Sequence, residues 1–478
     1  MGKRVILCVV WLFIILSLTA CGKNEEVRER GINGYIYMSE DISGGFSSET
    51  LGRMRKLKCR GNYLYYVIDS SIYGHILDVD SGMQAQDRVV VYTDKNKGII
   101  DYTVDESGNI YYFSVEYSTD YVLSGVGIKE GRLIGQKEDG TLLYNTAFPV
   151  SSQDDVGSYT GKCIFLLVED FIYVIDEDGK EIGSISVEEY GTGLAEGKQG
   201  LLEGPGGGVY YCSDNSTYGG LLKVFEIGKE NGGYNLKLLE EEEWGQRGVN
   251  GVLFTSPRGM MYNRRDGILR LYNEEEGKWQ DLLRWSDSCL TWDASEIIPV
   301  SEEHMLVFYS TLSEPEVYLL TKTPVEELPE KEELVLACYI GCSTDVQKAV
   351  AEFNRANDKY HITVELFWGI GAEAKLDARI VSSNPPDMLD MMNLDMQKYA
   401  DSQALEDYSP YLDASSVLER EMFLDNVLEG YTFAGKLVCI PARIYCYTVL
   451  GRASRVGEGV GWDMDEVRAL AEEYPEYG

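Results

Sequence analysis

The chain has 478 residues, 79 acidic against 43 basic side chains, and a formal charge of −36. That length predicts two or three domains with enough apolar content for packed cores. The charge excludes nucleic acid as a partner, since phosphate binding depends on clustered Lys and Arg. The three histidines (His75, His304, His361) leave a zinc site unsupported.

Val5 to Leu18, behind Lys3 and Arg4, is the one continuously apolar stretch. A spanning helix needs about 20 residues, and this run is shorter; its basic start and small-residue end read as a secretory signal. Leu18-Thr19-Ala20 directly before Cys21 resembles the lipobox of bacterial lipoproteins. The resemblance implies a signal peptide over 1–20, lipidation of Cys21 with fatty acyl chains such as palmitate, and a cell-membrane protein facing the extracytoplasmic side. The alternative is an ordinary signal peptide with an incidental cysteine. Residues 21–33 are polar, without periodicity, and read as a tether.

From 34 to 322 the chain reads as short strands rich in Tyr, Val and Ile, punctuated by Gly and Asp turns. A loose phrase of strand, turn and strand recurs, as in "GNYLYYVIDSS" at Gly61, "GNIYYFSVEY" at Gly108 and "GGVYYCSDNS" at Gly207. Taking Tyr65, Tyr111, Tyr173, Tyr210, Tyr262 and Phe308 as equivalent gives intervals of 46, 62, 37, 52 and 46 residues. These lie near the ~40–50 residues of one four-stranded propeller blade. The pattern resembles a WD40- or YVTN-like β-propeller, although no repeat carries a clean WD dipeptide. The widest interval holds a further hairpin, "RLIGQKEDGTLLYN" (Arg132 to Asn145), so six and seven blades are both open. A β-sandwich is the competing architecture.

Nothing in this region identifies an enzyme. With 79 acidic residues, chance carboxylate pairs are inevitable, and no GxSxG elbow, HExxH helix or phosphate loop appears. No cofactor is expected. Eight cysteines remain besides Cys8 and Cys21. Most sit in apolar runs, where free core thiols are favoured over a disulfide framework; their redox state stays open.

"TPVEELPEKEE" (Thr323 to Glu333) ends the strand periodicity with two prolines and five glutamates, and 323–332 reads as a linker. Beyond it strand and helix alternate. "ELVLACYIG" (Glu333 to Gly341) is a buried strand. Ser343 or Thr344 caps "DVQKAVAEFNRAN", whose Val346, Ala349, Val350 and Phe353 form an apolar face. "HITVELFW" (His361 to Trp368) is a second strand, a helix covers about 373–381, and "DMLDM" after Pro385-Pro386 is a third. This βαβαβ order predicts a parallel sheet with right-handed crossovers.

"VAEFNRANDKYHITVEL", "ARIVSSNPPDMLDM", "LEDYSPYLD" and "GKLVCIPARIYCYTVLG" together resemble the extracellular solute-binding proteins, family 1, of ABC importers. The FN-x-x-N, PPD and G-K-x-x-x-x-P elements occur in order over 333–478. Ser402-Gln403 departs from the family, which usually has Gly before its L-x-D/E-L step. The resemblance implies a periplasmic-binding-protein-like α/β domain holding a first lobe and the start of a second, C-terminally incomplete. It also implies a role as a membrane-anchored solute-binding lipoprotein that delivers a sugar or oligosaccharide to ABC permease subunits. By the rule that open α/β sheets bind ligands at the C-terminal ends of their strands, the ligand candidates are Trp368, Asn393 and Asp395, with Arg443 and Tyr445 from across a crossover. For these residues, hinge and core packing is the competing role. The alternative function is a cell-surface sensor or interaction protein whose propeller binds a partner or polymer.

Overall fold

The computed structural model describes residues 30–441, apart from short internal stretches, together with 468, 469 and 472. Cys21, Arg443, Tyr445, the signal and most of the tether lie outside the described residues. The chain divides into two compact units, 1–394 and 395–478.

Six four-stranded antiparallel sheets make up most of the first unit. Five are built from consecutive strands, within 55–92, 97–148, 156–186, 198–243 and 252–284. The sixth is composite: Glu296–Pro299, His304–Tyr309 and Glu316–Pro324 are completed by the N-terminal strand Tyr35–Asp41, which pairs Tyr35 with Pro324 and Asp41 with Tyr318. The first strands of successive sheets lie side by side, and Glu296–Pro299 returns against Arg55–Arg60. The arrangement is a closed, propeller-like ring. Arg132 to Asn145 falls in the outer two strands of the second sheet, so this hairpin adds no blade. Tyr173 lies in a third strand, Phe171–Ile175, whereas Tyr111 and Tyr210 lie in second strands. That one-strand slip in the assumed equivalence explains the uneven intervals.

Neighbouring sheets bury facing side chains in shared cores. Tyr65, Val67 and Ile72 therefore share a core with Tyr102, Ile110 and Tyr112 of the next sheet. The adjacent tyrosines Tyr210 and Tyr211 are likewise both buried, despite pointing to opposite faces.

The alternating region forms β1 (Glu332–Tyr339), α1 (Thr344–Ala356), β2 (Tyr360–Phe367), α2 (Ala372–Ile380) and β3 (Met388–Leu389). The strands make a parallel sheet in the order β2-β1-β3. Ser343 caps α1 by accepting from Val346 N at 3.3 Å. On α1 the buried residues are Gln347, Val350, Ala351 and Asn354, with Val346 and Phe353 half-buried; Ala349, expected inward, is exposed. Two polar residues hold the place that periodicity gave to apolar ones.

The acidic segment does not act as a free linker. Its first residues complete Glu316–Pro324, Val325 N donates to Gly34 O at 2.9 Å, and the Arg30 guanidinium donates to Pro329 O at 3.2 Å. One continuous core joins Tyr37, Leu269, Leu283, Trp285 and Trp292 of the sheets to Leu336, Cys338, Val350, Ile362 and Val364 of the α/β part. Gln347 Oε1 accepts from Trp292 N at 3.1 Å, and Asn354 Nδ2 donates to Ser286 O at 3.0 Å. The compact boundary accordingly falls after Leu394, not at 323–332. Local sequence could not reveal this, because the partners are 55 and 68 residues apart.

The second unit contains α3 (Met396–Asp401), α4 (Ser409–Ala414), α5 (Asp425–Gly430) and a hairpin of β4 (Thr432–Phe433) and β5 (Lys436–Leu437). Leu412, Leu428 and Leu437 form its small core, and Asp407 Oδ1 accepts from Ser409 N and Leu437 N. Among the described residues no helix is long and apolar enough to cross a membrane.

Candidate functional site

Three loops leave the C-terminal ends of β1, β2 and β3. After β1, Ile340 has φ +62° and is 62 % exposed, while its N–H donates to Phe367 O at 2.8 Å. A β-branched residue in the left-handed region is a true backbone outlier, and such outliers concentrate at functional sites. The loop is tied down on its inner side: Gln347 Nε2 donates to Cys342 O at 2.8 Å, so the residue that reaches Trp292 also fixes the entry to α1.

Cys338 and Cys342 are free, buried and hydrogen-bonded to each other. That contact first, then burial and the nearby Asp390, drive the Cys338 thiol far above its ordinary range. It is therefore a poor nucleophile at neutral pH. The six cysteines for which a state is described are all free thiols.

After β2 comes Trp368-Gly369-Ile370-Gly371. Gly369 and Gly371 have φ of +80° and +74°, which lets this short loop turn sharply into α2 and leaves Ile370 83 % exposed. After β3, Asp390 Oδ1 accepts from Met392 N at 3.1 Å, and Asn393 Nδ2 donates to Tyr339 O at 3.2 Å. Asn393 thereby bridges the loops after β3 and β1. The edge carries three exposed apolar side chains, Ile340, Ile370 and Met392.

The sequence candidates separate. Trp368 lines a cleft of about 420 Å³ along β2, with Arg284, Glu333, Glu365 and Arg379. Asn393 stands at the β1–β3 side with its amide N–H engaged by backbone. Asp395 belongs to the second unit, where it caps α3 by accepting from Lys398 N at 3.2 Å. The family-like motif residues have architectural contacts. Asn354 accepts from Ile362 N at 2.7 Å and donates to Ile362 O at 2.8 Å, Asn357 Oδ1 accepts from Tyr360 N at 2.7 Å, and Asp387 Oδ2 accepts from Val335 N at 2.8 Å.

Sequence reasoning missed a buried charge cluster beside the cleft. His361 Nδ1 is 2.7 Å from Glu333 Oε2, and its Nε2 is 3.8 Å from Asp287 Oδ1. Asp287 Oδ2 is held by Arg284 at 3.1 Å and by Gly31 N at 3.0 Å. Burial raises the Asp287 carboxyl above its ordinary range, against the lowering effect of Arg284 and His361. Asp287 and His361 are 74 positions apart in sequence, so no local motif marks them.

Residues 348–478 match the family described as bacterial extracellular solute-binding protein. The match takes in just over a quarter of the chain. It supports an extracellular solute-binding role and, with it, an extracytoplasmic location. The search among curated protein sequences found no match. Similar solved structures include Hsv2 of Kluyveromyces lactis, at 12 % identity over 57 % of this chain and 99 % of that one, with a TM-score of 0.32. Another is the PQQ domain of a pyranose dehydrogenase from Coprinopsis cinerea, at 13 % identity over 62 % and 97 %, with a TM-score of 0.34. A protein of unknown function from Bacteroides caccae is 9 % identical over 48 % and 77 %, with a TM-score of 0.30. At these scores none of the three carries an argument about function.

Proposed function

We propose that the protein is a membrane-anchored, extracytoplasmic solute-binding component of an ABC importer, tethered through acylated Cys21 and taking a sugar or oligosaccharide. The observation that carries this reading is the family match over 348–478, which begins within α1 and takes in β2, β3 and the loops that follow those two strands. Open α/β sheets take ligands at that edge. Trp368 supplies an aromatic face of the kind that stacks on sugar rings, and Asn393 supplies a polar group suited to hydroxyls. No catalytic role is assigned.

The test is calorimetric titration against a panel of mono- and oligosaccharides. The reading expects saturable binding of at least one sugar, weakened severalfold by Trp368→Ala; binding that ignores both Trp368→Ala and Asn393→Ala would place the solute elsewhere. Anchoring is tested separately, by incorporation of labelled palmitate that Cys21→Ala abolishes.

A further inference from the structure

The edge strand β2 is treated differently along its length. In a parallel strand the N–H and C=O of one residue point to the same side, and alternate residues face alternate neighbours. Lys359 O accepts from Glu332 N at 2.8 Å and Phe367 O from Ile340 N at 2.8 Å, so the odd-numbered residues face β1. The even-numbered residues face outward. Two of these are covered: Tyr360 N–H by Asn357, and both backbone groups of Ile362 by Asn354. The next two, Val364 and Leu366, line the cleft of about 420 Å³, bounded on the far side by Ile268 and Arg284 of the fifth sheet. Half of this strand edge is closed by two dedicated asparagines. The other half opens into a walled cavity.

We propose that this cleft binds a short free peptide, added in extended form to the open half of β2. Val364 and Leu366 offer two N–H donors and two C=O acceptors, spaced by the repeat of about 6.6–6.8 Å that an added strand requires. A cavity of about 420 Å³ lies within the range of small-ligand sites, about 300–1,000 Å³. The wall formed by Ile268 and Arg284 disfavours the long flat strand of a second copy or a partner protein. Charge is complementary to a peptide bearing both termini. Glu333 reaches Thr363, with Arg284 in the same cluster through Asp287 and His361, while the Arg379–Glu365 pair, at 3.1 Å, lies beside Trp368. Each end of the open edge thus has a cation and an anion. The inference stands on this geometry and does not require that the loops after β1, β2 and β3 bind a sugar.

The experiment is residue-resolved amide exchange by NMR on the full chain, with tetra-alanine as the probe and maltotetraose as the non-peptide comparison. Saturating tetra-alanine is expected to slow exchange of the Val364 and Leu366 amides by about tenfold or more. Thr363 and Glu365, already bonded to β1, should not change. Ile268→Arg, which fills the cleft from the opposite wall, is expected to abolish the effect; unchanged protection at Thr363 and Glu365 in that variant reports that β2 is still formed. The proposal is overturned by no slowing at millimolar tetra-alanine, by equal slowing with maltotetraose, or by slowing that survives Ile268→Arg.

Discussion

Asn354→Ala removes a side chain that joins three pieces of backbone. Asn354 is 2 % exposed; it accepts from Ile362 N at 2.7 Å and donates to Ile362 O at 2.8 Å and to Ser286 O at 3.0 Å. Three hydrogen bonds are lost at about 0.5–1.5 kcal/mol each, and the groups left behind are buried, where an unsatisfied partner costs about 1–3 kcal/mol. Water entering the site offsets part of this, so the expected loss is about 3–4 kcal/mol. Ser286 belongs to the propeller-like part and Ile362 to the α/β part, whose cores are continuous. The urea transition of both should therefore move together, read by near-ultraviolet dichroism of the tyrosine-rich sheets and by helical signal. Asn354→Asp, which keeps the acceptor and removes the donors, should fall between wild type and Ala. A loss below about 1 kcal/mol, or a shift confined to the helical signal, would refute the reasoning.

Three other outcomes follow from the same structure. A chain ended after Pro324 uncovers the core that Trp285, Trp292 and Leu269 share with α1 and β2, so light scattering should detect association; a monodisperse, fully folded product would show that the sheets need no cover. Gly31→Ala places a Cβ 2.5 Å from Tyr35 O at a φ of +80°, and should destabilise by about 1–3 kcal/mol in denaturant melts, whereas a neutral result would contradict the close approach. Burial and then Asp105, whose Oδ2 accepts from the Tyr111 hydroxyl at 3.0 Å, raise the Tyr111 phenol from 10.0 to about 12. Its folded value exceeds its unfolded one, so its stabilising effect is complete below pH 10 and is lost as pH rises toward 12. Tyr111→Phe should flatten stability across that window, and an unchanged alkaline slope would count against it.

Much of the architecture was legible because its signals are local. Strand periods in the propeller-like part, the Ser343 cap of α1 and the prolines before β3 each act within a few residues. Register across repeats was less legible, since one strand resembles the next; Tyr173 was matched to the wrong strand of its sheet for that reason. The coupling of sheets to α/β part was hidden altogether. It depends on Gln347, Asn354 and His361, polar residues whose partners come from distant sequence. The same limit affected the site. Trp368 could be placed after a strand, but not beside Arg284, and Ile340 carries its backbone strain without a compositional sign.

The most direct test of the solute-binding reading is hydrogen–deuterium exchange by mass spectrometry, with and without a sugar found to bind calorimetrically. The account predicts slower exchange in the loops at 340–343, 368–371 and 390–394, with the turns of the six sheets unchanged. Protection confined to the propeller-like turns, with those three loops unaffected, would contradict it.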